Sequence, residues 1–192
     1  MIGNIVYINL DERVDRNLQV QQELRKVFPD VAIHRLSAIK FNPGYIGCTQ
    51  SHIAALELGK RNNWPRVLIV EDDIMWTAFD PQQLEILLSK PHDVVLLSGT
   101  YIKSDGDRLL SAQTAAAYIV EAHYYDTILD NFRTGLDQLK AGGKYRTYAL
   151  DQYWKLLQGR DTWLISRPSM CIQRPGFSDI ERCNVDYTRY YN

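Results

Sequence analysis

The chain has 192 residues, of which 45% are hydrophobic, and its 22 basic and 23 acidic side chains leave a formal net charge of −1. This length suffices for one well-buried domain and is short for two, so we expect a single domain over residues 1–192. With a net charge close to zero, the protein lacks the broad positive field on which nucleic-acid binding depends, so nucleic acid is not an expected partner.

Cysteine spacing and hydropathy exclude further classes of protein. Cys48, Cys171 and Cys183 lie far apart and lack paired C-x-x-C spacing, so we predict neither a disulfide framework nor a thiolate metal centre. No stretch approaches 18 apolar residues, and the chain enters a strand without a charged leader followed by an apolar segment. We therefore expect no membrane span and a cytoplasmic location.

Strand and helix patterns alternate through the first half of the chain, which is typical of βαβ units. Asp11 is expected to cap the first helix, and Asp80 followed by Pro81 predicts the start of another. The predicted strands cover residues 5–10, 31–36, 67–71 and 93–98, and the predicted helices cover residues 13–28, a stretch from the turn at 41–47 to about residue 62, and residues 81–89.

The second half begins with shorter extended pieces, where a Ser-Asp-Gly turn at residues 104–106 predicts a hairpin. The elements predicted after it are a strand at 117–120, helices at 121–140 and 150–157, and an extended segment at 163–173. This order of elements predicts an α/β fold, a sheet flanked by helices.

The most informative segment is Val-Leu-Ile-Val-Glu-Asp-Asp at residues 67–73. Its apolar run is typical of a strand buried on both faces, and ligands bind in the crevice outside the carboxyl ends of such strands. Glu71, Asp72 and Asp73 repel one another, and carboxylate oxygens suit Mg²⁺ or Mn²⁺. The segment therefore predicts a divalent cation site that bridges to a diphosphate; a solvated acidic loop is the alternative.

The same segment also resembles the opening strand of a bacterial receiver domain, and residues 93–97 resemble the strand that carries its phosphoacceptor. The acceptor position holds Ser98, however, only 26 residues after Asp72, which is too few for the helix, strand and helix of a receiver. The acidic strand is also not the first in the chain. We reject this interpretation.

Short motifs along nearly the whole chain resemble glycosyltransferase family 25, which includes lipopolysaccharide and procollagen galactosyltransferases. Each motif is weak alone, but their order, in register with the strands, makes the resemblance specific. The matches are Tyr-Ile-Asn-Leu-Asp at 7–11 with Arg13, Asp15 and Arg16, Gly47-Cys48 with Ser51-His52, the acidic residues 71–73, Ala117-Tyr118, Asp151 followed by Tyr153-Trp154, and Ser-Asp-Ile at 178–180.

The resemblance implies a GT-A fold, a Rossmann-like mixed sheet that binds a UDP-sugar with Mn²⁺ or Mg²⁺ as cofactor. It implies transfer of a hexose, galactose or glucose, to a hydroxyl of a glycan or protein acceptor, and we expect inversion. Asp73 is the first choice as metal ligand, with Glu71 and Asp179 as further candidates. The expected nucleotide-sugar-binding residues are Asn9, Leu10, Asp11, Arg13, Arg16, Gly47, Ser51, His52, Asp72 and Ser98.

Several of these assignments have simpler alternatives. Arg13 and Arg16, just past the first strand, are expected to contact base or phosphate bidentately, or else to be solvated charges. The turn at 41–47 precedes a helix whose N-terminus could approach phosphate, and His52 in its first turns is a donor-site residue or a structural hydrogen-bonding group. Ser98 could touch the donor sugar or merely form a tight turn.

Asp151 is the candidate general base that activates the acceptor hydroxyl. The alternative is a helix N-cap, a role that Asp fills commonly. Tyr153, Trp154 and Trp163 could stack on a sugar or belong to the core. Asp179 could instead tether the C-terminal segment.

Two other functions remain open at this point. One is a GT-A-like module that binds a nucleotide sugar or carbohydrate without transferring it. The other is a metal-dependent hydrolase of nucleotide sugars, which would use water as the acceptor. The presence of all three acidic residues and of Asp151 favours a transferase.

Overall fold

The computed structural model describes residues 1–191, in which an eight-stranded mixed sheet carries helices on both faces and two two-stranded sheets lie beside it. The strands are β1 (Asn4–Asn9), β2 (Ala32–Ser37), β3 (Arg66–Glu71), β4 (Ile74–Trp76), β5 (Val94–Leu96), β6 (Thr100–Asp105), β7 (Arg108–Gln113), β8 (Ala117–Glu121), β9 (Trp163–Ile165), β10 (Cys171–Gln173), β11 (Gly176–Ser178) and β12 (Cys183–Val185). The helices are α1 (Val14–Val27), α2 (Gly44–Arg61), α3 (Pro81–Ser89), α4 (Tyr125–Lys140), α5 (Tyr145–Tyr148), α6 (Leu150–Tyr153) and α7 (Lys155–Arg160), and short 3₁₀ turns cover Ala122–Tyr124 and Thr188–Tyr190.

The main sheet has the strand order β2-β1-β3-β8-β5-β9-β7-β6. Strand β1 runs parallel to β2 and β3, and β5 runs parallel to β9. Strand β8 is antiparallel to both of its neighbours, β3 and β5. The predicted α/β fold with a mixed sheet flanked by helices is therefore confirmed.

Strand β3 is buried on both faces, as its continuous apolar run predicts. Val67 and Ile69 pack in the core beneath α2 and α4, whereas Leu68 and Val70 pack in the core beneath α1 and α3. Alternation of side chains along a strand requires this division. In the parallel pairing of β1 with β3, Ile8 lies opposite Glu71, so both strands deliver their carboxyl ends to one edge.

Helix α2 begins earlier than the sequence predicts. It starts at Gly44, so Gly47 lies inside the helix rather than in a preceding turn, and His52 lies about two turns in. A Cβ at Gly47 would come within 2.2 Å of the Ile39 carbonyl oxygen, so the glycine permits a close backbone approach. The expectation of His52 in the first turns was wrong because this glycine was interpreted as a turn signal.

The remaining differences concern caps and the C-terminal third. Arg13, not Asp11, occupies the N-cap of α1, and Ala149 precedes α6, so the N-cap alternative for Asp151 is wrong. The predicted helix 150–157 is two short helices, α6 and α7. The predicted extended segment 163–173 is two strands in different sheets, and the β11–β12 hairpin was not predicted.

Within residues 1–191, no helix combines the length and apolar character needed to cross a membrane.

Candidate active site

The carboxyl ends of β1 and β3 open into a cavity of about 370 Å³, here called the acidic cavity. Its walls come from β3, the first two helices and the β11–β12 hairpin, so segments far apart in the chain meet here. The charged residues that line it are Glu12, Arg16, Lys40, Glu71, Asp72, Asp73, Asp179 and Arg182.

Arg16 is the cation that contacts the acidic strand end. Its Nη1 donates to Asp72 Oδ1 at 3.0 Å and to Asp73 Oδ2 at 3.2 Å, and its Nη2 donates to the Phe177 carbonyl oxygen at 2.7 Å. Asn9 Nδ2 donates to the other Asp72 oxygen at 2.7 Å. Burial raises the pKa of Asp72, although these two partners oppose the rise. Arg16 thus links the carboxylates to the C-terminal hairpin.

Asp73 is incompletely satisfied by the protein. Its Oδ1 is buried and has no hydrogen-bond partner among the residues that the structure describes. Burial, reinforced by the charge of Glu71 and opposed by Arg16, raises the pKa of Asp73 to about 7. A buried carboxylate oxygen without a donor is costly, and hard divalent cations prefer oxygen ligands of this type. The site therefore fits a divalent metal ion.

Glu71 is held from two sides. Gln173 Nε2 donates to Glu71 Oε2 at 2.9 Å, and His52 Nε2 lies 3.3 Å from Glu71 Oε1. The other ring nitrogen of His52 lies 2.8 Å from the Tyr118 hydroxyl, and both of these side chains are buried. Sequence reasoning missed Gln173, because its place at the site follows from the pairing of β10 with β4.

A second cavity of about 650 Å³ adjoins the first and is here called the tyrosine cavity. Glu71 lines both cavities, whereas Asp72 and Asp73 line the acidic one. Asp151 also lies on the tyrosine cavity. The tyrosines that line it are Tyr45, Tyr101, Tyr145, Tyr187 and Tyr190.

Asp151 is fixed by a strained loop. Its Oδ2 accepts a hydrogen bond from the Thr114 backbone N–H at 3.1 Å, and its Oδ1 accepts one from Gln152 Nε2 at 3.4 Å. Thr114 has a φ of 78°, which is unusual for a β-branched residue and is the kind of strain that clusters at ligand sites. Burial raises the pKa of Asp151. The carboxyl group is therefore both positioned and made more basic.

The structure divides the predicted site residues into three groups. Leu10, Arg16, Ser51, His52, Glu71, Asp72, Asp73 and Asp179 line the acidic cavity, Asp151 lines the tyrosine cavity, and Asn9, Asp11, Arg13, Gly47 and Ser98 line neither. Asn9 reaches the site through its bond to Asp72, and Arg13 pairs with Asp179. Ser98 is fully buried. The Arg13–Asp179 pair matches the predicted tether of the C-terminal segment.

Tyr153, Trp154 and Trp163, for which the sequence left sugar stacking and core packing open, line neither cavity. Trp154 and Trp163 are fully buried and pack edge to face with ring centroids 5.3 Å apart, so they belong to the core. Tyr145 and Tyr101, which do line a cavity, were missed because nothing in their local sequence distinguishes them. Tyr145 stacks on Tyr45 at 5.6 Å, and Tyr101 packs against Tyr190 at 5.1 Å.

The mixed sheet, with an acidic cluster at the carboxyl end of a central strand, defines a GT-A-type α/β fold. Solved structures share it. A197 from STIV matches with a TM-score of 0.55 at 14% identity, over 96% of this chain and 93% of that chain. A glycosyltransferase involved in the glycosylation of the major capsid of PBCV-1 matches with a TM-score of 0.52 at 8% identity, over 86% and 82%.

The galactosyltransferase LgtC, in complex with donor and acceptor sugar analogues, has a TM-score of 0.52 at 14% identity, over 85% of this chain and 73% of that chain. No protein-family model and no curated protein sequence matches this chain. At these low identities the likeness shows the fold alone.

Proposed function

We propose that this protein is a glycosyltransferase similar to family 25, which moves a hexose from a UDP-sugar to a hydroxyl of a glycan or protein acceptor. The observation that carries the proposal is the position of Glu71, at the acidic strand end, in the wall between two adjoining cavities of different chemistry. The acidic cavity would take the nucleotide sugar and the tyrosine cavity the acceptor. Glycosyltransferases among the proteins of the same fold support this assignment.

Arg16 is the residue best placed to contact the donor diphosphate. Arg16 lines the acidic cavity, and its guanidinium group has N–H donors beyond those that bond Asp72, Asp73 and the Phe177 carbonyl, which would contact phosphate oxygens. Lys40 and Arg182 line the same cavity and add positive charge. Ser51 and His52, also in the wall, would meet the donor from the α2 side.

Asp73 and Glu71, with Asp179 as a further candidate, would hold Mn²⁺ or Mg²⁺. Asp73 Oδ1, which has no hydrogen-bond partner within residues 1–191, supports this role because it is an available oxygen ligand in a buried position. When bound, the ion would supply positive charge for the departing diphosphate.

Asp151 would accept the proton of the acceptor hydroxyl. Its raised pKa favours this role, because a general base works best when its pKa lies closer to the working pH. Inversion requires the base to act opposite the leaving group. We expect inversion, and the position of Asp151 in the cavity beside the donor cavity is compatible with it.

A panel of nucleotide sugars tests the proposal, with calorimetry for binding and nucleotide release for turnover. We expect a UDP-hexose to bind more tightly with Mn²⁺ than with a chelator, and its turnover to require a glycoside or peptide acceptor. Absence of binding for every nucleotide sugar would overturn the proposal. Binding without turnover would favour the binding module, and release that is equally fast without acceptor would favour the hydrolase.

A further inference from the structure

Cys48, His52 and Glu71 form a compact cluster in the wall between the two cavities. Cys48 and His52 are one helical turn apart on α2, so their side chains share a face, and Glu71 comes from the end of β3. One ligand atom from each residue lies within 4.8 Å of those from the other two. The sequence spacing of the cysteines did not predict this cluster, because Glu71 arrives through the packing of α2 on β3.

Two of the three separations in the cluster lie near those around a tetrahedral zinc ion. Zn–S bonds of about 2.3 Å and Zn–N or Zn–O bonds of about 2.0–2.2 Å place neighbouring ligand atoms about 3.5 Å apart. The observed separations from Glu71 Oε1 are 3.3 Å to His52 Nε2 and 3.9 Å to Cys48 Sγ. For these two pairs, shifts of a few tenths of an ångström would accommodate the ion, and the ligand atoms of Cys48 and His52 lie within 4.8 Å of each other.

Hydrogen bonds on the far side orient two of the three ligands. The Tyr118 hydroxyl lies 2.8 Å from His52 Nδ1, so Nε2 is the nitrogen directed at Glu71. Gln173 holds Glu71 Oε2 at 2.9 Å, which leaves Oε1 toward the cluster. Metal-binding histidines and carboxylates are usually supported by outer hydrogen bonds of this kind.

We propose that Cys48, His52 and Glu71 form a binding site for Zn²⁺ or a similar thiophilic divalent ion. It shares Glu71 with the proposed oxygen-ligand site and differs from it in using Cys48 and His52 in place of Asp73. Thiolate and imidazole ligands select such ions, whereas Mn²⁺ and Mg²⁺ favour oxygen. Binding would release the thiol proton of Cys48 to solvent, and His52 would bind the ion through Nε2 while its Nδ1–H donates a hydrogen bond to the Tyr118 hydroxyl. Three protein ligands leave a fourth position, and Cys48 and Glu71 both line the two cavities.

Cobalt spectroscopy tests the site without nucleotide, so its outcome is independent of the proposed transferase activity. Titration of the full chain with Co²⁺ alone should produce a thiolate-to-cobalt charge-transfer band that saturates at one ion per chain and disappears when Zn²⁺ is added. Cys48→Ser should abolish the band. Cys183→Ser, which changes an exposed cysteine outside the cluster, should retain it, as should Asp73→Asn.

Tyr118→Phe provides a second variant that keeps the buried ring and removes only the outer hydrogen bond to His52. We expect it to weaken zinc binding by about tenfold, because loss of such outer bonds typically costs ten- to a hundredfold in metal affinity. The same far-UV circular dichroism and unfolding temperature would show that each variant is folded. A folded wild type without the charge-transfer band, a band that survives in Cys48→Ser, or equal zinc affinity in Tyr118→Phe would overturn the proposal.

Discussion

The two adjoining cavities offer a ligand different chemistry. In the acidic cavity the groups are charged and paired, as where Arg16 bridges Asp72 and Asp73. In the tyrosine cavity five tyrosine rings lie beside the charged Arg146, Asp151 and Glu181, and some of the rings are paired, as where Tyr45 stacks on Tyr145. Paired charges suit an anionic ligand with a metal ion, whereas ring faces suit a neutral, flat surface such as a sugar. Under the proposed function, the acidic cavity would take the donor and the tyrosine cavity the acceptor.

The wall between the cavities carries the residues that both would use. Glu71 lies in this wall, supported by His52 from one side and Gln173 from the other. The β11–β12 hairpin contributes Ser178 to both cavities. Substitutions that line only one cavity should therefore weaken the binding of one substrate and leave the binding of the other unchanged.

The largest expected effect comes from Asp73→Asn. We predict that it abolishes the Mn²⁺-dependent increase in UDP-sugar affinity, measured by calorimetry with Mn²⁺ and with a chelator. The fold should be no less stable, because removing one of three adjacent carboxylates relieves like-charge repulsion. Asp137→Asn, an exposed position on α4, is the matched control. Equal wild-type affinity with Mn²⁺ and with chelator would remove the basis for the metal site.

Asp151→Asn should lower the transfer rate by about a hundredfold or more, since general base catalysis typically contributes that much. Donor and metal binding should change little, because Asp151 lines the other cavity. The asparagine oxygen can still accept the Thr114 N–H, so the loop should keep its conformation. Initial rates and donor calorimetry measure the two effects. A retained wild-type rate would move the base elsewhere, with Glu181 in the same cavity as the next candidate.

Tyr145→Ala should raise the KM for the acceptor by roughly three- to tenfold, because an aromatic contact contributes about 0.5–1.5 kcal/mol. The KM for the donor should stay unchanged, which distinguishes this variant from changes in the acidic cavity. Tyr145→Phe keeps the ring and should show a much smaller increase. An equal rise for both substrates would contradict the division between the cavities.

The smallest effect is expected at the opposite end of the central strands, where His92 Nε2 lies 2.8 Å from Glu121 Oε1. This contact raises the pKa of His92. The stabilisation is therefore fully present below the unfolded pKa of about 6.5 and is lost as pH rises through the higher folded value. His92→Gln should lower the free energy of unfolding by about 1 kcal/mol at low pH. The difference should shrink at high pH.

Urea unfolding of wild type and His92→Gln at about pH 5.5 and pH 9 measures this dependence. Both cavities should be unaffected, because Glu121 ends β8 beside Arg66, at the start of β3. A difference that grows with pH would contradict the assigned pairing.

Local sequence patterns determined much of the secondary structure and of its burial. The apolar run at 67–70 requires burial on both faces, and the acidic residues that follow it must emerge at the strand end. The helix start at Asp80 was predicted correctly, and the Asp80 side chain accepts from Gln82 N–H at 2.9 Å. Such features depend on neighbours a few positions away, so they are readable from the sequence.

Tertiary structure alone decided which groups surround the acidic residues. Arg16 donates a hydrogen bond to Asp72, which lies 56 positions away in the sequence, and Gln173 donates one to Glu71, 102 positions away. These contacts depend on the parallel pairing of β1 with β3 and on the antiparallel pairing of β10 with β4. The tyrosine pairs and the Cys48, His52 and Glu71 cluster arise in the same way. Contacts between distant segments follow from packing of the whole chain, for which local patterns carry no signal.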